Sequence, residues 1–183
     1  MKWKKILVVY YSRTGHTKKL AEELAHKLHA DIEEIKTEEY YSGFIGYQRA
    51  MFHALFNKSP KIERMKKNLS GYDLVVIGGP VWAGSMSAPI RTYLRKFKYK
   101  FQNVAFYSTQ NGSFYRKGHF DKMRILSGAS PWATLPVSVS DLKNGNFKKL
   151  SSVFIFKLLH GKEKEELKTK EKKKSYRMVP ISH

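Results

Sequence analysis

Cysteine is absent from the 183 residues. That absence excludes disulfides, thiolate metal sites, iron–sulfur clusters and cysteine nucleophiles, and it agrees with a reducing, cytoplasmic setting. Long hydrophobic runs are missing too. The apolar run Ile6 to Tyr11 stops at Ser12 and Arg13, too short for the core of a signal peptide. Leu74 to Gly84 is interrupted by Gly78, Gly79 and Pro80, well short of the roughly 20 residues of a membrane helix. A soluble, cytoplasmic protein is therefore expected. Acidic residues are scarce, 15 against 35 Lys and Arg, which leaves a formal net charge of +20. His53, His119 and His160 lack ligand spacing with carboxylates, so no metal site is assigned.

What is present is an ordinary globular composition, 42% apolar and 27% charged. Lys5 to Tyr10 is short, continuously apolar and β-branched, the pattern of a strand covered on both faces. The polar run Ser12 to Thr17 follows, then Leu20, Ala21, Leu24, Ala25 and Leu28 at helical spacing. Ala30 to Ile35 reads as a second, weaker strand. Asp73 to Gly79 repeats the buried-strand pattern, and Pro80 to Ser87 reads as a loop. A helix comes next, with Ile90, Leu94 and Phe97 on one face and Pro89 in its first turn.

Asn103 to Ser108 is a fourth strand, followed by a polar loop, Thr109 to Ser113, and a short helix near Phe120 to Leu126. Ala133 to Val139 is a fifth strand, placed at a sheet edge because Pro136 removes a ladder donor. Phe147, Leu150, Phe154 and Leu158 mark a last helix. The alternation predicts a parallel sheet with helices on both faces, a three-layer α/β fold. Two stretches break the rhythm. Tyr40 to Lys58 reads as a long aromatic loop (Tyr40, Tyr41, Phe44, Tyr47, Phe52, Phe56) that should cover something, ahead of a helix around Ile62 to Leu69. Lys162 to His183, with eight basic and four acidic residues, reads as a solvated helix fraying into a tail. The expected division is one domain over 1–160 and a basic tail over 161–183.

Ligands of an open parallel sheet bind outside the carboxyl ends of its strands, at the switch point in strand order. Three such ends carry unusual residues. Ser12 to Thr17 offers three hydroxyls and a glycine just before a helix, where free N–H groups attract a phosphate. Alone, it fits an N-capped helix equally well. Gly78 to Ser85 sets small residues around one aromatic, Trp82, read as exposed and able to stack on a flat ligand that the glycines let approach. Ser108 to Gly112 supplies amides and hydroxyls of the kind that read a heterocycle edge.

Taken in order, the tyrosine-ended strand with Ser-x-Thr-Gly-x-Thr, then Gly-Gly-Pro-Val-Trp-Ala-Gly, then Ser-Thr-Gln-x-Gly resemble the flavodoxin family of FMN proteins. The resemblance implies a doubly wound flavodoxin-like fold, a five-stranded sheet in the order 2-1-3-4-5, and FMN at the switch point. By position, Ser12, Thr14, Gly15 and Thr17 with the Arg13 and His16 amides would hold the phosphate. Pro80, Val81, Trp82, Ala83 and Gly84 would flank the isoalloxazine, and Ser108, Thr109, Gln110, Asn111 and Gly112 would line its other side and pyrimidine edge. The charge departs from the acidic family pattern.

That charge has consequences of its own. Arg13, Lys18 and Lys19 should draw in the FMN phosphate, and a positive field should raise the reduction midpoint. Partners expected from it are an acidic redox protein, a small acceptor such as a quinone, or an anionic membrane surface. Nucleic acid is not expected: the aromatics of Arg91 to Lys100 fit a helix's buried side and its charges the wet side. The expected function is electron transfer through bound FMN. The alternative is an FMN-dependent oxidoreductase of the quinone-reducing or protoporphyrinogen-oxidising kind, with no catalytic residue assigned.

Overall fold

The computed structural model describes residues 3–37, 43–56, 58–112 and 118–160. Its strands form where the apolar runs alternate between two cores. In β1 (Ile6–Tyr10), Leu7 and Val9 enter one hydrophobic cluster while Ile6, Val8 and Tyr10 enter the other. The same division runs through Val75 and Ile77 against Leu74 and Val76 in β3 (Leu74–Trp82), and through Phe106 against Ala105 and Tyr107 in β5 (Val104–Gln110). Strands apolar on both faces must lie between two helical layers. By contrast β2 (Asp31–Glu34) and β6 (Pro131–Ser138) alternate, and they take the edges.

The parallel sheet runs β2-β1-β3-β5-β6, and a two-residue strand, β4 (Ser85–Met86), pairs antiparallel with the end of β3. The five parallel strands thus have the expected 2-1-3-4-5 order, with the sixth strand an addition. Pro136 lies on β6, an edge strand that pairs with β5 alone among the described strands, where a residue without N–H is tolerated.

Two helices, α1 (His16–Leu28) and a helix over 147–160, pack the second cluster through Leu20, Leu24 and Leu28 and through Phe147, Phe154 and Leu158. On the opposite face, α3 (Ala88–Lys96) and α4 (Gly118–Ser127) contribute Ile90, Leu94, Phe120 and Met123 to the first. A short α5 (Val139–Asn144), absent from the sequence reading, starts on a capping box: Asp141 N–H donates to Ser138 Oγ while Ser138 N–H donates to Asp141 Oδ2.

Four expectations are corrected. The segment Tyr40 to Lys58 is not a loop but contains α2 (Gly43–Leu55), while Tyr40 and Tyr41 lie outside the described residues. Good helix formers such as Gln48, Arg49 and Ala54 outweigh the aromatic content. Ile62 to Leu69 is not a helix. Ile62 bridges to Thr37, the Glu33 carboxylate accepts from the Lys66 and Lys67 amides, and the Asn68 side chain caps a 3-10 turn at Leu69–Gly71. Those backbone groups are satisfied by partners outside a helix. Pro80 to Ser87 is largely strand. Within Arg91 to Lys100 the polarity is partly inverted, with Arg91 buried and Tyr99 75% exposed. The expected tail, Lys162 to His183, lies outside the described residues.

Candidate functional site

Register brings the three singled-out segments to one rim. Tyr10 pairs with Gly78, and Gly78, Gly79 and Pro80 pair with Tyr107, Ser108 and Thr109, so the carboxyl ends of β1, β3 and β5 lie side by side. Tyr11 N–H extends the ladder to Gly78 O at 3.1 Å. At the rim, the Thr17 and Thr109 hydroxyls meet at 2.6 Å, joining the first segment to the third across the end of β3. One hydroxyl proton is used in that bond. The proton of the other hydroxyl is not used by it.

Ser12 to Gly15 links β1 to α1. Gly15 is the N-cap of α1 with φ 84°, and no side chain caps the helix, so its first-turn N–H groups have no capping oxygen. A left-handed φ suits glycine. Thr14 and Gly15 are exposed, Ser12, Arg13 and His16 half-buried, and Thr17 buried. The Ser12 Oγ is inaccessible to solvent and has no hydrogen-bond partner. A buried hydroxyl without a partner costs about 1–3 kcal/mol, and Ser12 carries that cost at the start of α1. Of the three cations expected to help, Lys18 instead pairs with Glu22 at 3.9 Å, and Lys19 Nζ donates to Leu142 O at 3.2 Å. Arg13 is near enough to Tyr11 to oppose the burial that pushes its phenol up to about 12. Tyr11 thus stays neutral beside the rim at physiological pH.

The second segment differs from its sequence reading. β3 continues through Pro80, Val81 and Trp82, turns on Ala83 (φ 47°) and Gly84 (φ 72°), and returns as β4, with Val81 opposite Met86 and Trp82 opposite Ser85. Two successive positive φ values are those of a tight hairpin turn matched to strand twist. Trp82 is not exposed; it is 7% accessible and packs edge-on against Tyr11, ring centroids 5.8 Å apart. The glycines also serve packing. A Cβ on Gly78 would collide with the Tyr107 ring, and one on Gly79 with Ile90. They admit the side chains of Tyr107 and Ile90.

In the third segment, Ser108, Thr109 and Gln110 belong to β5, while Asn111 and Gly112 form an exposed bend ahead of 113–117, which lie outside the described residues. The buried Ser108 Oγ is 3.0 Å from His119 Nε2 in the first turn of α4. Sequence reading missed Tyr11, His119 and Ser87 as members of this rim, and it included Ser85 only as a small residue of the second segment. The Ser85 and Ser87 hydroxyls are, like that of Ser12, buried without partners. Their i, i+2 spacing after Gly84 was the only sequence signal, and it was read as loop.

This is the rim of a doubly wound α/β protein of mononucleotide-binding type, with open amides and an unmet hydroxyl at the helix start. The chain belongs to the flavodoxin family, whose model matches residues 5–131. Among solved structures it is similar to a flavoprotein from Lactobacillus acidophilus in complex with FMN, at 28% identity and a TM-score of 0.62 over 79% of this chain and 98% of that one. The apo form of the flavoprotein from the same organism aligns at 26% identity and TM-score 0.58, covering 76% of this chain and 95% of that one. The Trp repressor binding protein of Bacillus subtilis shares the fold at 13% identity and TM-score 0.53, over 82% of this chain and 99% of that one. No curated protein matches the chain. No described helix is long and apolar enough to cross a membrane.

Proposed function

We propose that this chain binds FMN at the rim and carries electrons through it. FMN, when bound, supplies reversible one- and two-electron chemistry. The chain's own residues bind, orient and shield it. Ser12, Thr14 and Thr17 and the first amides of α1 take the phosphate, with Arg13 adding positive charge. The hairpin Pro80 to Gly84 and the run Ser108 to Gly112 bound the ring system. The observation that carries this reading is the buried, partnerless Ser12 hydroxyl at the open start of α1. The exchange partner is an acidic redox protein or a small acceptor such as a quinone.

Calorimetric titration of the FMN-free chain tests the binding step. One-to-one uptake, weakened by Ser12→Ala, is expected; no uptake rejects the proposal. Spectroelectrochemistry tests the charge argument. With net charge +20, the midpoint should lie above that of acidic flavodoxins, by on the order of 20 mV for each unscreened charge ~10 Å away. An equally negative midpoint at low salt contradicts it.

A further inference from the structure

The outer face of α2 carries a stripe that no described element covers. Ile45 is 72% exposed, Phe52 49% and Phe56 63%. Phe56 N–H still bonds to Phe52 O at 2.9 Å, so the helical path reaches it. Separations of seven and four residues put all three side chains on one line of the helix. The Phe52 and Phe56 rings lie 4.4 Å apart, a paired aromatic tip. Gln48 and Arg49 flank the line and are exposed.

This tip is held firmly to the body of the protein. The buried Arg91 guanidinium of α3 donates from Nη1 to His53 O at 3.0 Å and to Lys58 O at 2.8 Å. Thr92 Oγ1 donates to Pro60 O at 2.9 Å, and Arg95 Nη1 to Ser59 Oγ at 2.7 Å. The end of α2 and the turn after it are therefore fixed against α3 while the aromatic side faces water. The chain through and just after the stripe is mostly basic: over 43–67, Arg49, Lys58, Lys61, Arg64, Lys66 and Lys67 stand against Glu63, with Lys67 paired to Asp31 at 3.6 Å.

We propose that this face docks on an anionic lipid bilayer, with Ile45, Phe52 and Phe56 entering the acyl boundary and the surrounding Arg and Lys side chains meeting the phosphate layer. Such a surface is negative outside and apolar beneath, which matches both properties of the helix together. A second copy would bring the same +20 charge against itself. The basic segment 161–183 would likewise be repelled. The proposal does not depend on FMN binding, and its readout does not involve the flavin.

The test is co-sedimentation of the full chain with vesicles of phosphatidylcholine alone or mixed with phosphatidylglycerol, at roughly 0.15 M ionic strength where screening acts beyond ~8 Å. Binding to the mixed vesicles only is expected. Phe52→Ser with Phe56→Ser should weaken it about tenfold or more, while Phe52→Leu with Phe56→Leu should retain it within about twofold. Both pairs are exposed, so their melting curves should match the parent's. Absence of binding overturns the proposal. Equal binding by the serine pair overturns it in favour of undirected charge attraction, and a dimer in ultracentrifugation that the serine pair abolishes overturns it in favour of a second copy.

Discussion

The Ser12 to Thr17 loop and the Pro80 to Ser87 hairpin sit side by side on one rim, and both are rich in small and hydroxyl residues. They differ in how far the backbone closes on itself. The hairpin closes on itself through Val81 opposite Met86 and folds Trp82 inward onto Tyr11. The loop stays open, with Thr14 and Gly15 in solvent, α1 uncapped and the Ser12 hydroxyl unmet. Glycine differs in the same sense. Gly15 has nothing within 4 Å of where a Cβ would stand and is needed for its φ of 84°, whereas Gly78 is needed because Tyr107 fills that space. The hairpin packs its indole inward while its Ser85 and Ser87 hydroxyls stay unmet like that of Ser12; the loop keeps its helix start open to solvent.

The largest expected effect breaks the packed hairpin. Trp82→Ala should cost about 3–5 kcal/mol in urea unfolding of the FMN-free protein, the range for a large buried aromatic. A loss below about 1 kcal/mol, paired with lost FMN affinity, would move Trp82 from the core to the cofactor. Ser12→Ala probes the open half and should act in reverse. FMN affinity should fall about tenfold or more, since a hydrogen bond to a charged group is worth about 1.5–3 kcal/mol, while FMN-free stability holds or rises. The opposite pattern would give that hydroxyl a structural duty.

Next in size come the glycines. Gly78→Ala should cost about 1–3 kcal/mol by overpacking, part of it recovered with Tyr107→Leu. Gly15→Ala should cost about 1–2 kcal/mol from its left-handed backbone, with no recovery from that partner. Equal rescue of both would erase the distinction.

The smallest effect contrasts two helix starts. Where α1 is open, α5 is closed by Ser138 Oγ donating to Asp141 Oδ2 at 2.6 Å and Asn146 Nδ2 to Asp141 Oδ1 at 2.8 Å. Those bonds, Ser138's first, hold the Asp141 carboxyl below its usual value of 3.8. A depressed folded value adds stability above the unfolded one and loses it as pH falls through the lower one. Ser138→Ala should therefore cost about 0.5–2 kcal/mol at neutral pH and flatten the acid limb of a stability–pH curve.

Much of the architecture was legible because burial on two faces writes itself as continuous β-branched runs. Ile6 to Tyr10, Leu74 to Ile77 and Val104 to Tyr107 could be placed from composition alone, and Pro136 marked the edge. The Ser12 to Thr17 loop was legible as well, since its chemistry is local: hydroxyls, a glycine and a helix start in one stretch. Trp82 was not. Whether an indole faces solvent or Tyr11 depends on a two-residue turn at Ala83 and Gly84, which sets Trp82 opposite Ser85 and Val81 opposite Met86. Ile62 to Leu69 misled because Glu33, about 30 residues earlier, supplies the acceptor that its backbone would have needed from a helix.

Sequence alone determined the alternating α/β plan, the order of the three rim segments and the basic charge, because periodicity, local loop chemistry and net charge are properties of the chain as written. Tertiary structure alone decided which rim residues are spent on packing and which remain open. It turned Trp82, Gly78 and Gly79 into core pieces, drew Tyr11 and His119 into the rim, left Ser12 without a partner, and set Phe52 and Phe56 outside. Those outcomes depend on which atoms, distant along the chain, arrive to fill or leave each space.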